Sequence, residues 1–201
     1  MVFYYDYPGY VVYMGADSNE NDKLIEHGWA TDIWFHVDSL SSAHVYLRLP
    51  LSTAMAVDCN HEIMDLVPDN VIEDMCQLVK NNSIEGCKKP WVSVVYTPHS
   101  NLRKEESMKE GSVSFHNKEH RKLRKTEKNK EIVKQLEKTK REGNPDLGQE
   151  RLEHEAEIIQ YKKEQTRKAH ENAEKIAQEA GKETQRLRDS ETQNNPVMLI
   201  M

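Results

Sequence analysis

Residues 32–49 read DIWFHVDSLSSAHVYLRL, and each end of this stretch alternates strictly between two kinds of side chain. One face of the two runs is apolar, formed by Ile33, Phe35, Val37, Val45, Leu47 and Leu49. The other face carries polar and aromatic groups, namely Asp32, Trp34, His36, Asp38, His44, Tyr46 and Arg48. Because successive side chains of a strand point to opposite faces, this period of two predicts two strands, each with one buried face.

Further segments of the N-terminal half supply partners for these two strands. Residues 2–5 and 10–14 are rich in β-branched and aromatic residues and flank Pro8-Gly9, which predicts a hairpin. Apolar residues at helical spacing follow Pro68, and WVSVVYT at 91–97 predicts another strand. We therefore expect an α+β domain, in which one or two helices pack on a mixed or antiparallel sheet.

The distribution of aromatic residues sets the boundary of this domain. All three Trp, all three Phe and seven of the eight Tyr precede residue 117, so we assign the core to residues 1–116. Residues 117–143 predict a basic helical extension. After the break at Asn144-Pro145, residues 146–188 predict a long charged helix with a weak heptad seam, and residues 189–201 a disordered tail.

Charge is distributed unevenly along the chain. Residues 103–141 carry 14 Lys/Arg against 7 Asp/Glu, a net of +7, although the whole chain is acidic at −6. Such a block predicts a polyanionic partner, since Lys and Arg neutralise phosphates. We expect phosphate contacts from Arg103, Arg121, Lys122, Arg124 and Lys125. The alternative is a solvated helix face, which the seven interleaved acidic residues favour.

The polar face of the two strands is the second candidate site. Flat rings can stack on unpaired bases while His and Arg donate to phosphates, so this face predicts a binding surface for single-stranded nucleic acid. The residues in question are Trp34, His36, His44, Tyr46 and Arg48. The alternative is that a second layer of the fold covers them.

Other chemistries have weak signals. Ser41, Ser42 and His44 lie too close along the chain to form a catalytic set unaided, and the sequence has no G-x-S-x-G, Walker or dinucleotide motif. Asp32, His36 and His44, with His61 nearby, are conceivable metal ligands, but isolated histidines on polar faces more often form hydrogen bonds or contact anions. We therefore expect no enzymatic activity, no cofactor and no metal.

The sequence also bears on location. It has no basic segment followed by an apolar stretch at its start and no run of 18 apolar residues, so we expect neither a signal peptide nor a transmembrane helix. Three cysteines without C-x-x-C spacing favour a reducing compartment. The expected location is the cytoplasm, with membrane association as the alternative.

Several segments together resemble a known family. They include DIWFHV at 32–37, SSAHVYLRL at 41–49, VVYTPHSNL at 95–102 and EKTK at 137–140. The sequence resembles the coiled-coil domain-containing protein 25 family, built on the NFACT-R domain, an RNA-binding module also found in ribosome-associated quality-control proteins. The resemblance implies an α+β domain with a helical tail, no known catalytic activity, RNA or tRNA-like ligands and a link to ribosomes.

The resemblance also implies contact positions, which map onto Trp34, His36, Ser42, His44, Asn101 and Lys104. The basic residue that the family usually has after the glycine of YMG is Ala16 here, which implies one phosphate contact fewer. We expect a nucleic-acid-binding adaptor that prefers RNA and uses its C-terminal helix to reach a protein partner. The alternatives are a coiled-coil protein scaffold and a DNA sensor at a membrane surface.

Overall fold

The computed structural model describes residues 1–57 and 60–193. Its strands are β1 (Val2–Tyr7), β2 (Tyr10–Gly15), β3 (Ile33–Val37), β4 (Val45–Arg48), β5 (Trp91–Pro98), β6 (Leu102–Arg103), β7 (Ser114–Phe115), β8 (Lys122–Glu127) and β9 (Lys140–Gly143). Its α-helices are α1 (Ser18–His27), α2 (Leu51–Ala54), α3 (Asp69–Asn81), α4 (Lys130–Glu137) and α5 (Leu147–Gln193).

Seven strands form one sheet in the order β8-β5-β3-β4-β2-β1-β9, and every neighbouring pair is antiparallel. Strands β6 and β7 form a separate pair. The predicted hairpin around Pro8-Gly9 is present, and Gly9 has a φ of 80°, which suits glycine in a tight turn. The expected α+β class is confirmed, with a sheet that is antiparallel throughout.

One face of the sheet packs against α3. The apolar positions predicted for β3 and β4 form the main core with side chains from α3, such as Val71, Ile72 and Met75. These three follow the helical spacing i, i+1, i+4, so they lie on one side of α3. Leu136 of α4 joins the same core.

The opposite face of the sheet is covered as well. Trp34, Tyr46 and Val95 pack with Leu24 of α1 and Leu102 in a second core. Trp34 is 2% exposed and Tyr46 is fully buried. Burying a large ring contributes roughly 1.5–3 kcal/mol, which favours covering the rings over displaying them. The prediction that these two rings lie on an open face is therefore wrong.

The basic helical extension predicted at 117–143 is also wrong. The segment contains β8, which pairs with β5, then the short helix α4, then β9, which pairs with β1. Strands β8 and β9 are thus the two edges of the sheet. A charged edge strand is a common solution, because Lys and Arg discourage pairing with other chains. The compact unit accordingly runs from Met1 to His154, beyond the boundary predicted at residue 116.

Helix α5 begins after Pro145 and is longer than predicted. From Glu155 onward its described side chains are almost all exposed, and intrahelical ion pairs such as Glu164–Lys168 and Arg167–Glu171 line its surface. The helix extends to Gln193, past the predicted end at residue 188. The rest of the predicted disordered tail, residues 194–201, lies outside the described residues.

Candidate nucleic-acid interface

A cleft of about 720 Å³ lies at the end of the sheet where β3 finishes and β4 begins. Its walls are the loop of residues 38–43, residues 15–18 before α1, and residues 110–115. Four of the predicted contact residues line it, namely Trp34, His36, Ser42 and His44. These four residues, grouped in the sequence by their alternation and by the family resemblance, thus lie around one cleft in the structure.

His36 and Ser42 fix the loop that forms one wall. The hydroxyl of Ser42 accepts a hydrogen bond from the backbone N–H of Val37 at 3.0 Å. His36 makes backbone hydrogen bonds with Val37 and Ser42. Burial lowers the pKa of the His36 imidazole below 6.5, so the ring is mostly neutral at physiological pH.

His44 lies deeper and faces both neighbouring rings edge-on. Its ring centroid is 5.2 Å from that of Trp34 and 5.0 Å from that of His36, at interplanar angles of 80° and 83°. A backbone hydrogen bond with Gly111 connects it to the wall formed by residues 110–115. Burial lowers the pKa of His44 to about 3, so this imidazole is neutral.

Three buried polar atoms of cleft-lining residues have no hydrogen-bond partner among the described residues. They are Oδ1 of Asn21, Nε1 of Trp34 and Nδ1 of His44. Most buried polar atoms in proteins are partnered, and leaving one unsatisfied costs about 1–3 kcal/mol. Each atom exposes less than 1 Å² to solvent, so a ligand group can supply the missing partner only if the lining side chains shift towards the cleft.

The charge of the lining disfavours a phosphate inside the cleft. Asp17, Asp38 and Glu110 line it together with Lys140. Asp17 also caps α1, where its side chain accepts from the N–H of Glu20 at 2.9 Å. With both imidazoles neutral, the carboxylates outnumber the ammonium group, so the cleft suits an uncharged polar group better than an anion.

Tyr46 and Arg48 do not form the predicted binding surface. Arg48 Nε lies 3.1 Å from Oδ1 of the fully buried Asp32, and the Tyr13 hydroxyl donates to Oδ2 of Asp32 at 2.5 Å. Tyr46 stacks on Tyr13 with ring centroids 4.9 Å apart. The guanidinium therefore neutralises a buried carboxylate, and the expectation of a phosphate contact from Arg48 is wrong.

The domain itself supplies bonding partners to three predicted nucleic-acid contacts, Asn101, Arg103 and Lys104. The Asn101 amide donates to the Thr97 hydroxyl at 2.9 Å and to the Asn117 carbonyl at 2.8 Å. Lys104 Nζ lies 2.8 Å from a carboxylate oxygen of Asp22, and Arg103 forms an ion pair with Glu105. These residues hold the segment that covers the second core.

The four basic residues of 121–125, three in β8 and Arg121 just before it, are split between two faces of the sheet. Lys122 and Arg124 point towards the α3 side, where they form ion pairs with Asp65, Asp69 and Glu73. Arg121 and Lys125 lie on the same side as the cleft, because β8 alternates like any strand. Sequence reasoning missed an exposed ring there, Trp91, although the alternation of WVSVVYT places it on the face of Val95.

Two further expectations concern metals and membranes. Asp32, considered as a metal ligand, is engaged by Arg48 and Tyr13 instead. Within residues 1–57 and 60–193 there is no group of three or more metal-ligating side chains. Over the same residues, no helix combines the length and the apolar character needed to cross a bilayer.

Comparisons with known proteins place this domain. Residues 1–117 match the NFACT protein RNA binding domain, and the chain belongs to this NFACT-R family. Coiled-coil domain-containing protein 25 from Danio rerio is 49% identical over 156 residues, covering 75% of this chain and 71% of that protein. Its homolog from Dictyostelium discoideum is 45% identical over 154 residues, covering 75% and 70%. The family resemblance found in the sequence is confirmed, and it supports a general nucleic-acid-binding role.

A solved structure shows the same kind of fold. It is the C-terminal part of the fibronectin/fibrinogen-binding protein from Streptococcus suis, with a TM-score of 0.51 and 20% identity. The match covers 67% of this chain and 47% of the other. At this identity the likeness concerns the fold alone.

Proposed function

We propose that this chain is a non-enzymatic RNA-binding adaptor whose cleft receives an unstacked nucleobase while the phosphates stay outside. The observation that carries the proposal is the set of unpartnered polar atoms on Asn21, Trp34 and His44 in a cleft whose lining is net acidic. Membership of the NFACT-R family supports RNA as the ligand class.

The hydrogen-bonding capacity of the three atoms suits a base edge. Nε1 of Trp34 can only donate, Oδ1 of Asn21 can only accept, and Nδ1 of a neutral His44 does either. A nucleobase edge offers donors and acceptors side by side, whereas an ionised phosphate offers mainly acceptors. RNA-binding modules commonly read bases that are splayed out of the strand in this way.

We further propose that the chain prefers RNA over DNA and that its natural ligand is a tRNA-like or ribosomal RNA. The proposed location is the cytoplasm. Helix α5 would then contact a protein partner or the ribosome. The family description supports the RNA preference.

The test is done on the full chain and distinguishes binding of a base from binding of phosphate. Adenosine, cytidine, guanosine and uridine are added in turn, with inorganic phosphate and ribose 5-phosphate as controls, while the indole N–H resonance of Trp34 is followed by NMR. We expect at least one nucleoside to shift that resonance and both controls to leave it in place. Equal shifts from phosphate would contradict the proposal, as would no response to any nucleoside.

A matched pair of variants checks that the response comes from the cleft. Trp34→Phe removes the unpartnered indole N–H, and nucleoside binding, followed calorimetrically, should weaken. Tyr46→Phe removes another unpartnered buried polar atom from the same core, but Tyr46 does not line the cleft. Its nucleoside binding should match that of the unaltered chain.

A protein scaffold is the second candidate, because α5 displays apolar side chains at a heptad interval. Leu152, Ile159 and Leu187 are 63%, 54% and 58% exposed and lie at multiples of seven residues from one another. Such spacing lines up one side of a helix that pairs with another. Sedimentation over a concentration series would show self-association if a second copy is the partner.

A further inference from the structure

A strip of exposed side chains continues the sheet face of the cleft towards the edge strand β8. We define this edge strip as the exposed Trp91, Leu123 and Lys125 together with the half-buried Arg121. Trp91 is 50% exposed and Leu123 is 56% exposed, whereas Trp34 on the same face is 2% exposed. Lys125 lies between these two apolar side chains along the strip, since strand neighbours on one face are two residues apart.

The strand register places the edge strip beside the cleft. Val95 of β5 lies opposite His36 on one side and opposite Leu123 on the other, so the three form one cross-strand row. Neighbouring strands are about 4.8 Å apart, so Leu123 lies roughly 10 Å from His36. Trp91 is four residues before Val95 on the same face, which puts it roughly 15 Å from His36.

The cations of the edge strip are not neutralised by described carboxylates. Lys125 Nζ lies 4.9 Å from the centroid of the Trp91 ring, and the guanidinium carbon of Arg121 lies 5.6 Å from that of Phe115. Among the described residues neither forms an ion pair, in contrast to Lys122 and Arg124 on the opposite face. Glu127 lies across from Trp91 and marks the end of the strip.

We infer that the edge strip is a track for single-stranded RNA, an inference that rests on the proposed function. A base stacks on the open face of Trp91, and Lys125 and Arg121 contact the phosphates on the way to the cleft. The acidic cleft cannot hold the backbone, so the strand needs cations close by. Stacking on an aromatic ring beside unpaired cations is a sequence-tolerant way to hold unpaired nucleotides.

The experiment measures binding of labelled single-stranded RNA of about twelve nucleotides to the full chain over a salt series. Trp91→Thr removes the ring but keeps a strand-favouring residue, and should weaken binding roughly 5- to 100-fold. Trp91→Phe should restore much of the affinity. The pair Arg121→Gln and Lys125→Gln should reduce the logarithmic salt slope by about 1.4, or about 0.7 for each lost phosphate contact.

The matched control is the pair Lys130→Gln and Lys134→Gln, which removes the same charge. Both side chains are exposed on α4, which packs against α3 on the other side of the sheet. If the edge-strip variants and this control have the same RNA affinity and the same salt slope, the inference of an RNA track is wrong. The proposed function still stands in that case. If the unaltered chain binds no RNA, the proposed function itself fails. If nucleosides still shift the indole N–H resonance of Trp34 in the Trp91→Thr variant, the cleft and the edge strip bind RNA separately.

Discussion

The guanidinium carbon of Arg48 lies 3.3 Å from the centroid of the Trp29 ring, while His154 stacks on Trp29 with ring centroids 3.5 Å apart. Two groups this close must lie on opposite faces of the indole. The sandwich joins β4, the loop before β3 and the first part of α5. This packing explains the position of Arg48 without any contact to a ligand.

Removing the guanidinium should destabilise the domain strongly. Arg48→Ala leaves the carboxylate of Asp32 buried without its cation, and such a loss costs about 3–5 kcal/mol in free energy of unfolding. Urea unfolding followed by tryptophan fluorescence measures it. Arg141→Ala is the control, because its ion pair with Asp6 is exposed and should contribute at most about 1 kcal/mol. Equal effects of the two variants would contradict this account.

Gly15, the glycine of YMG, should not tolerate a methyl group. A Cβ at this position would lie 2.5 Å from Oδ1 and 3.0 Å from the backbone nitrogen of Asn21. Gly15→Ala should therefore lower the free energy of unfolding by about 1–3 kcal/mol. Gly181→Ala in α5 meets nothing within 4 Å and should raise helicity, contributing about 0.8–1 kcal/mol. Circular dichroism and urea titration distinguish the two outcomes.

Stability should fall on acidification because His44 is buried as a neutral imidazole. Burial lowers its pKa from 6.5 to about 3, so between these values the unfolded chain binds a proton that the folded chain does not. The stabilisation is complete above pH 6.5 and decreases by about 1.4 kcal/mol per pH unit below it. Burial lowers the pKa of His36 and His99 too, so they act in the same direction.

Urea titrations at several pH values from about 7 to about 4 test this dependence. His44→Asn removes the titrating ring and should leave a shallower fall than the unaltered chain shows. An unchanged slope would mean that His44 does not contribute.

Lys80 should be a structural residue despite its charge. Its side chain is buried, and Nζ donates to the carbonyls of Gly86 and Lys89, each at 2.6 Å. Lys80→Met leaves both carbonyls without this donor and should cost about 2–4 kcal/mol in thermal or urea unfolding. Lys88→Met, at an exposed position, should be close to neutral. If Lys80→Met left the stability unchanged, water would be replacing the ammonium group.

The strands of the central sheet could be predicted because their apolar face is continuous. Ile33, Phe35 and Val37 must all point one way in a strand, and no helical spacing groups them. The same alternation could not reveal that the second face is buried. Its cover depends on a few residues from distant segments, such as Leu102 and Phe115, which carry no local pattern.

The strands of the basic segment escape sequence-based prediction for a related physical reason. The segment KLRKTE contains a single apolar residue, Leu123, so its hydrophobic pattern could not indicate a strand. An edge strand is held mainly by backbone hydrogen bonds to one neighbour, and side-chain composition records those bonds weakly. The candidate cleft was found in part, through His36, Ser42 and His44, whereas the exposed position of Trp91 depends on where the sheet ends.

Both outer strands of the sheet come from residues 122–143, late in the compact unit. A protein is synthesised from its N-terminus, so β1 and β5 are completed while their outer backbone groups still lack neighbours. Until the last strands emerge, the nascent domain offers two unpaired rows of N–H and C=O groups to any passing chain. Delay or premature termination in this window would therefore favour aggregation.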